Sequence, residues 1–578
     1  MYVLGLSCFY HDAAACLIRD GVPIAAASEQ AFTRKKHDER FPTHAIRWAL
    51  SEAGITMNDV SLVAFHEKPL IKFERILKSH LNHFPKSFSQ FSRGIPSWFS
   101  TKLRLDKLLK QEFEYQGAIV YGYHHRSHAA SAFYASGWEE STLLTVDGVG
   151  EWSTATWGIG RGREIEIKGE IRFPHSLGLL YSAFTAYLGF KVNSAEYKVM
   201  GLAPYGEPKY VDNIKEMIHL KDDGTFRLDM RCFDFDHGLR MYNRRFEDIM
   251  GQPSRPMEAP NLEQFHKDVA RSIQEVVNES MVNLATSAVQ STGIPRLCMA
   301  GGVALNCVAN GHILREAPIE DLFVQPAAGD AGGAMGAALW AWHELLENPR
   351  EWKMETAYLG PGYSDEEAQK ALDEMGAVYH RMSRQPLLDR TADLIDQSMV
   401  VGWYQGRLEW GPRALGHRSI LGDARHPEMR DIINRKIKFR EGFRPFAPSV
   451  LEECVGQYFE IDRPSPYMLL VAQVRDSGTP LPAITHVDNS ARIQTINRAQ
   501  DALYYDLIDT FRKKTGCGVV INTSMNVRGE PIVNTPTDAY QCFMRTHMDA
   551  LVVGPFLLLK AEQPEIELAS AEDAFGLD

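Results

Sequence analysis

The stretch HHRSHAASAFYASGWEESTLLTVDGVG, residues 124–150, decides the fold. From His125 to Phe133 it is rich in Ala and free of breakers, which predicts a helix. Residues four apart share a helix face, so His124 and His128 aim two imidazoles at one point near its start. Residues 142–146 form an apolar, β-branched run stopped by Asp147-Gly148, the pattern of a strand ending in a turn. The Asp147 carboxylate can swing back toward the two rings. Two neutral nitrogens and a carboxylate suit Fe(II), Zn or Mn with positions left open. The alternative is a helix-start histidine cluster bonded to backbone, with Asp147 as a turn residue.

Working outward, residues 2–7, 13–19 and 22–29 predict three strands, the last two joined at Arg19-Asp20-Gly21, a strong hairpin signal. The plan recurs at 143–147, 153–158 and 164–171, with 160–162 as the second turn. A repeat of pattern without a repeat of residues predicts two halves of one duplicated α/β fold facing across a cleft. His11-Asp12 then sits in one polar turn and Asp147-Gly148 in the other. Between the halves, residues 43–54 predict a helix, and the basic-aromatic stretch 73–110 reads as an insert forming a solvated amphipathic helix pair.

Further along, EYKVMGLAPYG (196–206) carries two glycines and a proline in an apolar run and predicts a packed loop, with Glu196 and Lys198 as a cleft pair or a structural ion pair. Residues 262–291 predict a long helix with Phe265, Val269, Ile273, Val276, Val277, Met281 and Leu284 on its core face. LCMAGGVALN (297–306) reads as strand, paired-glycine turn and helix start. There Gly301 and Gly302 permit close approach of a phosphate or sugar, and Asn306 lies at the helix entry. A second glycine-rich turn, 329–336, places Asp330 where it supplies either another carboxylate to the metal or a helix cap.

Pro, Gly and charge break the pattern at 347–362, which sets a domain boundary dividing 1–350 from 351–578; a helix restarts at Ser364 with Glu367 completing a capping box. Beyond a strand at 400–404, basic residues are locked between Gly, Pro and Phe. Arg413 and Arg418 lie in GRLEWGPRALGHRSIL (406–421), Lys438 and Arg444 in or beside FREGFRPFAPSVL (439–451), and Arg492 near a later strand. Arg413, Lys438, Arg444 and Arg492 can hold a small, highly charged phosphate ligand; surface salt bridges are the alternative.

The chain has 578 residues, enough for about three to four structural units. Its net charge of −12 argues against a general nucleic-acid surface. Eight scattered cysteines without a Cys-x-x-Cys pair read as reduced core residues. No charged leader or membrane-length apolar run is apparent, so a cytoplasmic protein without a membrane partner is expected.

Taken together, HHxxHAASAF, VDGxG, EYKVMGLAPYG, AGGVALN, GDAGGAMGAA, GRLEWGPRALGHRSIL, FREGFRPFAPSVL and INTSMNVRGEPIV (521–533) resemble the TobZ-like O-carbamoyltransferases of the NodU/CmcH family over nearly the whole chain. The resemblance implies a duplicated actin/Hsp70-like (ASKHA, Kae1-like) N-terminal domain joined to an α+β, YrdC-like C-terminal domain. It implies that the second domain cleaves carbamoyl phosphate to carbamate, which attacks ATP (with Mg) to give carbamoyladenylate and pyrophosphate. Arg413, Lys438, Arg444 and Arg492 match positions that neutralise phosphate, and Asn522 and Ser524 match positions that bond phosphate or carbamoyl oxygens. Arg418 and Gly148 lie within the matched substrate motifs. In the first domain it implies Fe(II), with Mn or Zn as alternatives, on His124, His128, Asp147 and Asp330. His11 beside Asp12 is then the general base or orienting group for a hydroxyl-bearing small-molecule acceptor. The turn before His11 is only Cys8-Phe-Tyr, shorter than in some members, which points to a less charged acceptor than an aminosugar. Two other functions are weighed: tRNA threonylcarbamoylation, opposed by the acidic balance, and an ASKHA-type nucleotide-gated kinase or binding module, which leaves the C-terminal arginines without a role. Oligomeric state is left open.

Overall fold

In the computed structural model, residues 1–257, 259, 261–438 and 442–565 are described. Contacts divide the chain into two compact units, one of Met1–Glu29 with His37–Met354 and one of Gln30–Lys36 with Glu355–Asp578.

The first unit holds two five-stranded sheets of the same design. In one, β1 (Tyr2–Ser7), β2 (Ala14–Arg19) and β3 (Val22–Ser28) form an antiparallel meander, and β4 (Val60–Phe65) and β5 (Ala118–Tyr121) add in parallel, giving the order β3-β2-β1-β4-β5. In the other, β6 (Glu140–Val146), β7 (Ser153–Arg161) and β8 (Glu164–Arg172) form the meander. Past a small hairpin of β9 (Ile218–Leu220) and β10 (Phe226–Leu228), β11 (Arg296–Ala300) and β12 (Asp321–Val324) complete the order β12-β11-β6-β7-β8. The two orders are the same when read from the meander outward, so the duplicated α/β architecture expected from the sequence is present. The alternation of buried and paired positions follows from apolar strands covered on both faces. Val3, Leu4, Leu6, Leu143, Leu144 and Val146 are all buried.

Three expectations need correction. The second meander turns at residues 162–163, two residues beyond the start of the Gly-Arg-Gly triplet, because Gly160 and Arg161 remain paired with Ile165 and Glu164. The insert is three helices, Pro69–Asn82, Phe88–Ser97 and Leu105–Phe113, rather than a pair. Residues 196–206 are not a loop: Glu196–Leu202 is helical and Ala203–Tyr205 a 3₁₀ turn, since burial of Val199 and Leu202 outweighs the helix cost of about 1 kcal/mol for one glycine. The long helix, Gln264–Thr292, carries the expected stripe, with Val269, Ile273, Val276, Val277, Met281 and Leu284 buried and Phe265 partly so.

The second unit is built on a nine-stranded mixed sheet. Its strands are β13 (His380–Arg381), β14 (Val401–Tyr404), β15 (Arg418–Asp423), β16 (Ala447–Leu451), β17 (Leu470–Gln473), β18 (Ser490–Ile496), β19 (Val519–Ser524), β20 (Ala550–Val553) and β21 (Phe556–Leu559), in the order β13-β21-β20-β14-β15-β19-β16-β18-β17. Helices Arg384–Asp396 and Ala502–Thr515 pack with it around Trp403, Ile420, Val520, Leu507 and Phe511. Ser364 caps helix Asp365–Glu374 with Glu367 closing the capping box. The segment Gln30–Lys36 belongs to this unit: Arg34 donates to the Ile532 and Pro531 carbonyls and to Glu530 Oε1. All eight cysteines are free. No helix among the described residues is long and apolar enough to cross a membrane.

Candidate active site

Helix His124–Ser136 starts where the chain leaves β5, and its first turn carries His124 and His128 inward, both 1 % exposed. Asp147 is delivered by the end of β6, and Asp330 by the first turn of helix Asp330–Trp340. Their atoms converge. His124 Nε2 lies 3.1 Å from His128 Nε2 and 3.0 Å from Asp147 Oδ2; His128 Nε2 is 3.4 Å from Asp147 Oδ2; and Asp330 Oδ1 is 3.6 Å from both ring nitrogens. Donors held tetrahedrally about 2.1 Å from one ion lie about 3.4 Å from each other, so these spacings fit a cation cage. Two imidazole nitrogens facing each other are also unfavourable unless a proton or a cation lies between them. The Asp330 Oδ1 atom is buried without a hydrogen-bond partner. The four residues therefore form a buried group able to hold a metal ion.

The backbone around the cage is arranged to serve it. Gly302 N–H donates to Asp147 Oδ1 at 2.9 Å, and Gly301 has φ +96° with its Cα against Val146. A Cβ on Gly301 would meet the Val146 carbonyl at 2.3 Å, and one on Gly302 would meet Asp147 Oδ1 at 2.9 Å. The paired glycines thus position a ligand carboxylate, not the phosphate expected from the sequence. Asn306 is likewise spent: its side chain accepts from Ala309 N–H as a helix cap and exchanges hydrogen bonds with Gln274, which corrects its expected role in substrate binding. Gly148 N–Cα faces open space, and its carbonyl accepts from Ser176 Oγ. The two helices that carry three of the four donors touch at Gly336, where a Cβ would stand 1.8 Å from the Ser127 carbonyl.

Electrostatics hold the set together. Burial opposes charge on His124, but hydrogen bonding to Asp147 and Glu67 outweighs it and raises its pKa well above the usual imidazole range. Burial would raise Asp147, yet His124 and His128 hold it well below the usual carboxylate range. Sequence reasoning missed a second layer. Glu151 accepts the His124 backbone N–H and that of Lys68, and Glu67 pairs with Lys72 at 2.7 Å while standing 3.6 Å from His124 Nδ1. The signal for Glu67 was present: His66-Glu67 follows β4 as Asp147 follows β6. Burial pushes His66 down to about 4 and His125 down to about 3, so both are neutral spacers.

Across the cleft, His11 Nδ1 bonds Asp12 Oδ2 at 3.0 Å, and His11 Nε2 lies 3.8 Å from Asp330 Oδ2. Asp12 takes φ +54° and also meets His37 Nδ1 at 2.8 Å, so a left-handed turn residue is pinned between two rings. Burial lowers the His11 pKa, but Asp330 and Asp12 raise it to about 9. Glu196 and Lys198 form no ion pair with each other, because residues two apart on a helix point to different sides. Glu196 accepts from Ser182 Oγ and Asn193 N–H, and Lys198 is fully buried with its ammonium 5.6 Å from the Phe190 ring centre.

In the second unit, Lys438 is buried and donates to the Ser524 carbonyl, the Asn526 carbonyl and Asn526 Oδ1 at the end of β19. Asn522 Nδ2 donates to Gln494 Oε1 at 2.8 Å, Ser449 Oγ at 3.1 Å and the Ala414 carbonyl at 3.3 Å. Gln494 Nε2 donates to the Leu415 carbonyl. These bonds hold the loop carrying Arg413 over β18 and β19. Asn522 Oδ1 is buried and accepts no hydrogen bond. It is an acceptor, so it suits an N–H donor and not the oxygens expected. Arg492 lies on β18 opposite Val471, and Arg413 and Arg444 are half-buried on their loops. Residues 439–441 of the FREGF motif lie outside the described residues. Arg418 is fully buried, stacks over Tyr404 at 3.7 Å and donates to the carbonyls of Gln405, His417, Gly406 and Pro361, bonds that oppose its expected role in substrate binding. Sequence reasoning also missed Glu409, whose Oε1 accepts the backbone N–H groups of Leu415, His417 and Arg418 and so shapes that loop.

A family model described as the carbamoyltransferase N-terminus matches residues 2–339, and one described as the carbamoyltransferase C-terminus matches residues 392–560. The chain belongs to the carbamoyltransferase family. This carbamoyltransferase is 50 % identical to an uncharacterized protein of Synechocystis sp., with 100 % of both chains covered. It is 40 % identical to the nodulation protein NolNO of Sinorhizobium fredii, covering 96 % of this chain and 79 % of that one. It is 34 % identical to the 3'-hydroxymethylcephem-O-carbamoyltransferase of Amycolatopsis lactamdurans over 46 % of this chain and 49 % of that one.

Proposed function

We propose that this carbamoyltransferase is an ATP-dependent O-carbamoyltransferase. The second unit forms carbamoyladenylate from carbamoyl phosphate and ATP, and the first unit transfers the carbamoyl group to a hydroxyl of a small-molecule acceptor. The single observation that carries the reading is the buried convergence of His124, His128, Asp147 and Asp330 in a chain of this family. The relative whose name specifies O-carbamoylation of a hydroxymethyl group supports a hydroxyl acceptor.

In the first half-reaction, water releases carbamate and inorganic phosphate from carbamoyl phosphate; a carbamate oxygen then attacks the α-phosphorus of ATP and pyrophosphate leaves. Lys438, Arg413, Arg444 and Arg492 offset the charge of the phosphates. Asn522 Oδ1 accepts an N–H of the carbamoyl group, the donor its unpartnered oxygen calls for. Ser524, tied to Lys438, orients the same end of the substrate.

In the second half-reaction, the acceptor oxygen attacks the carbamoyl carbon, the bond to the adenylate oxygen breaks, and AMP leaves. A bound Fe(II), or Mn or Zn, supplies Lewis-acid polarisation and a template for the adenylate. His11 Nε2 receives the hydroxyl proton, and Asp12 fixes the ring through Nδ1. Cation charge on Asp330 removes one of the influences that hold the His11 proton, which leaves the ring able to accept one. The test is to combine protein, ATP, Mg, carbamoyl phosphate and Fe(II) with a hydroxyl-bearing metabolite pool. AMP, pyrophosphate and an acceptor heavier by one carbamoyl group are expected. Absence of carbamoyl-phosphate-dependent pyrophosphate release from the metal-loaded protein rejects the reading.

A further inference from the structure

A second group of metal-binding side chains lies in the first unit and shares no residue with the cage. His83 follows the insert helix Pro69–Asn82, and Asp236 and His237 lie in a turn after β10 closed by the His237 and Gly238 N–H groups on the Asp234 carbonyl. One donor atom from each of the three lies within 4.8 Å of the others. The rings of His83 and His237 stack nearly parallel, 14° apart with centres at 4.8 Å.

The hydrogen bonds fix which atoms point inward. His83 Nδ1 donates to the Ser79 carbonyl at 2.9 Å, which leaves Nε2 as the basic nitrogen of the neutral ring. A histidine that ligates a metal ordinarily donates its other N–H in this way. That Nε2 faces Asp236 Oδ2 at 3.4 Å, a lone pair against a carboxylate, while Asp236 Oδ1 is taken up by His237 Nδ1 at 2.5 Å. Asp236 is 8 % exposed, so water does little to relieve the contact. His237 Nε2 stands 3.8 Å from Asp234 Oδ1, which is itself held by Asn243 Nδ2 at 2.9 Å. A cavity of about 630 Å³ adjoins the group and is lined by His175, His219, Arg227 and Arg231 as well.

We propose that His83, Asp236 and His237 form a second metal site, selective for a divalent transition ion of the zinc type. Two imidazoles with one carboxylate exclude Ca²⁺ and Mg²⁺, which take oxygen donors, and favour Zn²⁺ with its fourth position open to the cavity. The ion ties the end of the first insert helix to the turn at 234–238, two segments joined here by side chains alone. A proton shared between His83 and Asp236 is the competing occupant.

The test is calorimetric titration of the chelator-stripped, full-length protein with Zn²⁺. The wild type is expected to bind two equivalents. His128→Ala is expected to keep one of them, and His83→Ala and His237→Ala are expected to lose that one, with affinity there falling on the order of 100-fold. Zn²⁺ is expected to raise the melting temperature of His128→Ala but not of His83→Ala/His128→Ala. Asp236→Asn serves where an alanine variant fails to fold, and is expected to lose the same equivalent. Binding of one equivalent by wild type and none by His128→Ala would overturn the proposal, as would Zn²⁺ stoichiometry and affinity unchanged in folded His83→Ala and His237→Ala.

Discussion

In the first unit, two imidazoles and two carboxylates converge inside the fold with spacings already suited to a cation. In the second, cationic side chains stand at strand ends and on glycine-rich loops, and the hydrogen bonds that organise them come from Glu409, Gln494 and Asn522 underneath. In the first centre helix starts and strand ends fix each donor. The second is a scaffold of neutral amides and one carboxylate that positions cationic side chains. On the proposed function, this difference predicts that the two half-reactions depend on separable sets of residues.

The largest expected effect tests that separation directly. His128→Ala should reduce carbamoyl transfer by about 1000-fold, the scale of losing metal-assisted charge stabilisation, while carbamoyl-phosphate-dependent pyrophosphate release stays within about twofold. Equal loss of both half-reactions would erase the distinction. Lys438→Ala should do the reverse: pyrophosphate release should fall by about 100-fold, with transfer from supplied carbamoyladenylate retained. Product analysis by mass spectrometry reads both variants.

Asn522→Ala should raise the KM for carbamoyl phosphate about tenfold, and should destabilise the protein by about 1–3 kcal/mol because Gln494 and Ser449 lose their partner. Asn522→Asp, which keeps an acceptor but cannot serve Gln494 Oε1, separates the two effects: a near-wild-type KM in a destabilised variant is expected, and a KM raised as far as in Asn522→Ala would assign the residue to folding alone. Asn306→Ala should cost about 1 kcal/mol as a lost helix cap, read as a lower urea midpoint, with substrate KM values unchanged. A large KM change would restore the binding role that its side-chain bonds argue against.

The smallest effect concerns the back of the cage helix, where His343 packs 4.5 Å from the ring of Tyr134. Burial pushes the His343 pKa from its ordinary 6.5 down to about 4. The unfolded chain therefore takes up a proton below pH 6.5 that the folded one refuses until about pH 4. Its contribution to stability is full above pH 6.5 and is lost as pH falls from there through about 4. His343→Gln should show a shallower fall of the urea midpoint across that interval than wild type.

Much of this was legible in the residues. Meanders with hairpin turns, the Ala-rich helix with histidines four apart, and an aspartate at each strand or helix end are local patterns, and local patterns carry the duplicated fold and the four donors. What could not be read was which backbone groups a side chain must satisfy. Gly301 and Gly302 look like a phosphate turn but serve Asp147, Asn306 is needed by its own helix, and Arg418 donates to four carbonyls. Glu67, Glu151 and Glu409 act on partners between 5 and 83 positions away, mostly in another element, where no periodicity speaks. The helix at 196–202 shows burial overriding the cost of Gly201, which propensity alone does not anticipate.

The contact between Gly336 and the Ser127 carbonyl reaches further than its size suggests. It sits six positions from Asp330 along one helix and one position from His128 along the other, at the place where the two rods lean on each other. A single added methyl there would act as a wedge, parting the rods and widening the bite of all three donors they bear. Under the proposed function, the calibre of ion that the cage would accept is therefore set partly by an absent side chain on a residue outside the four donors.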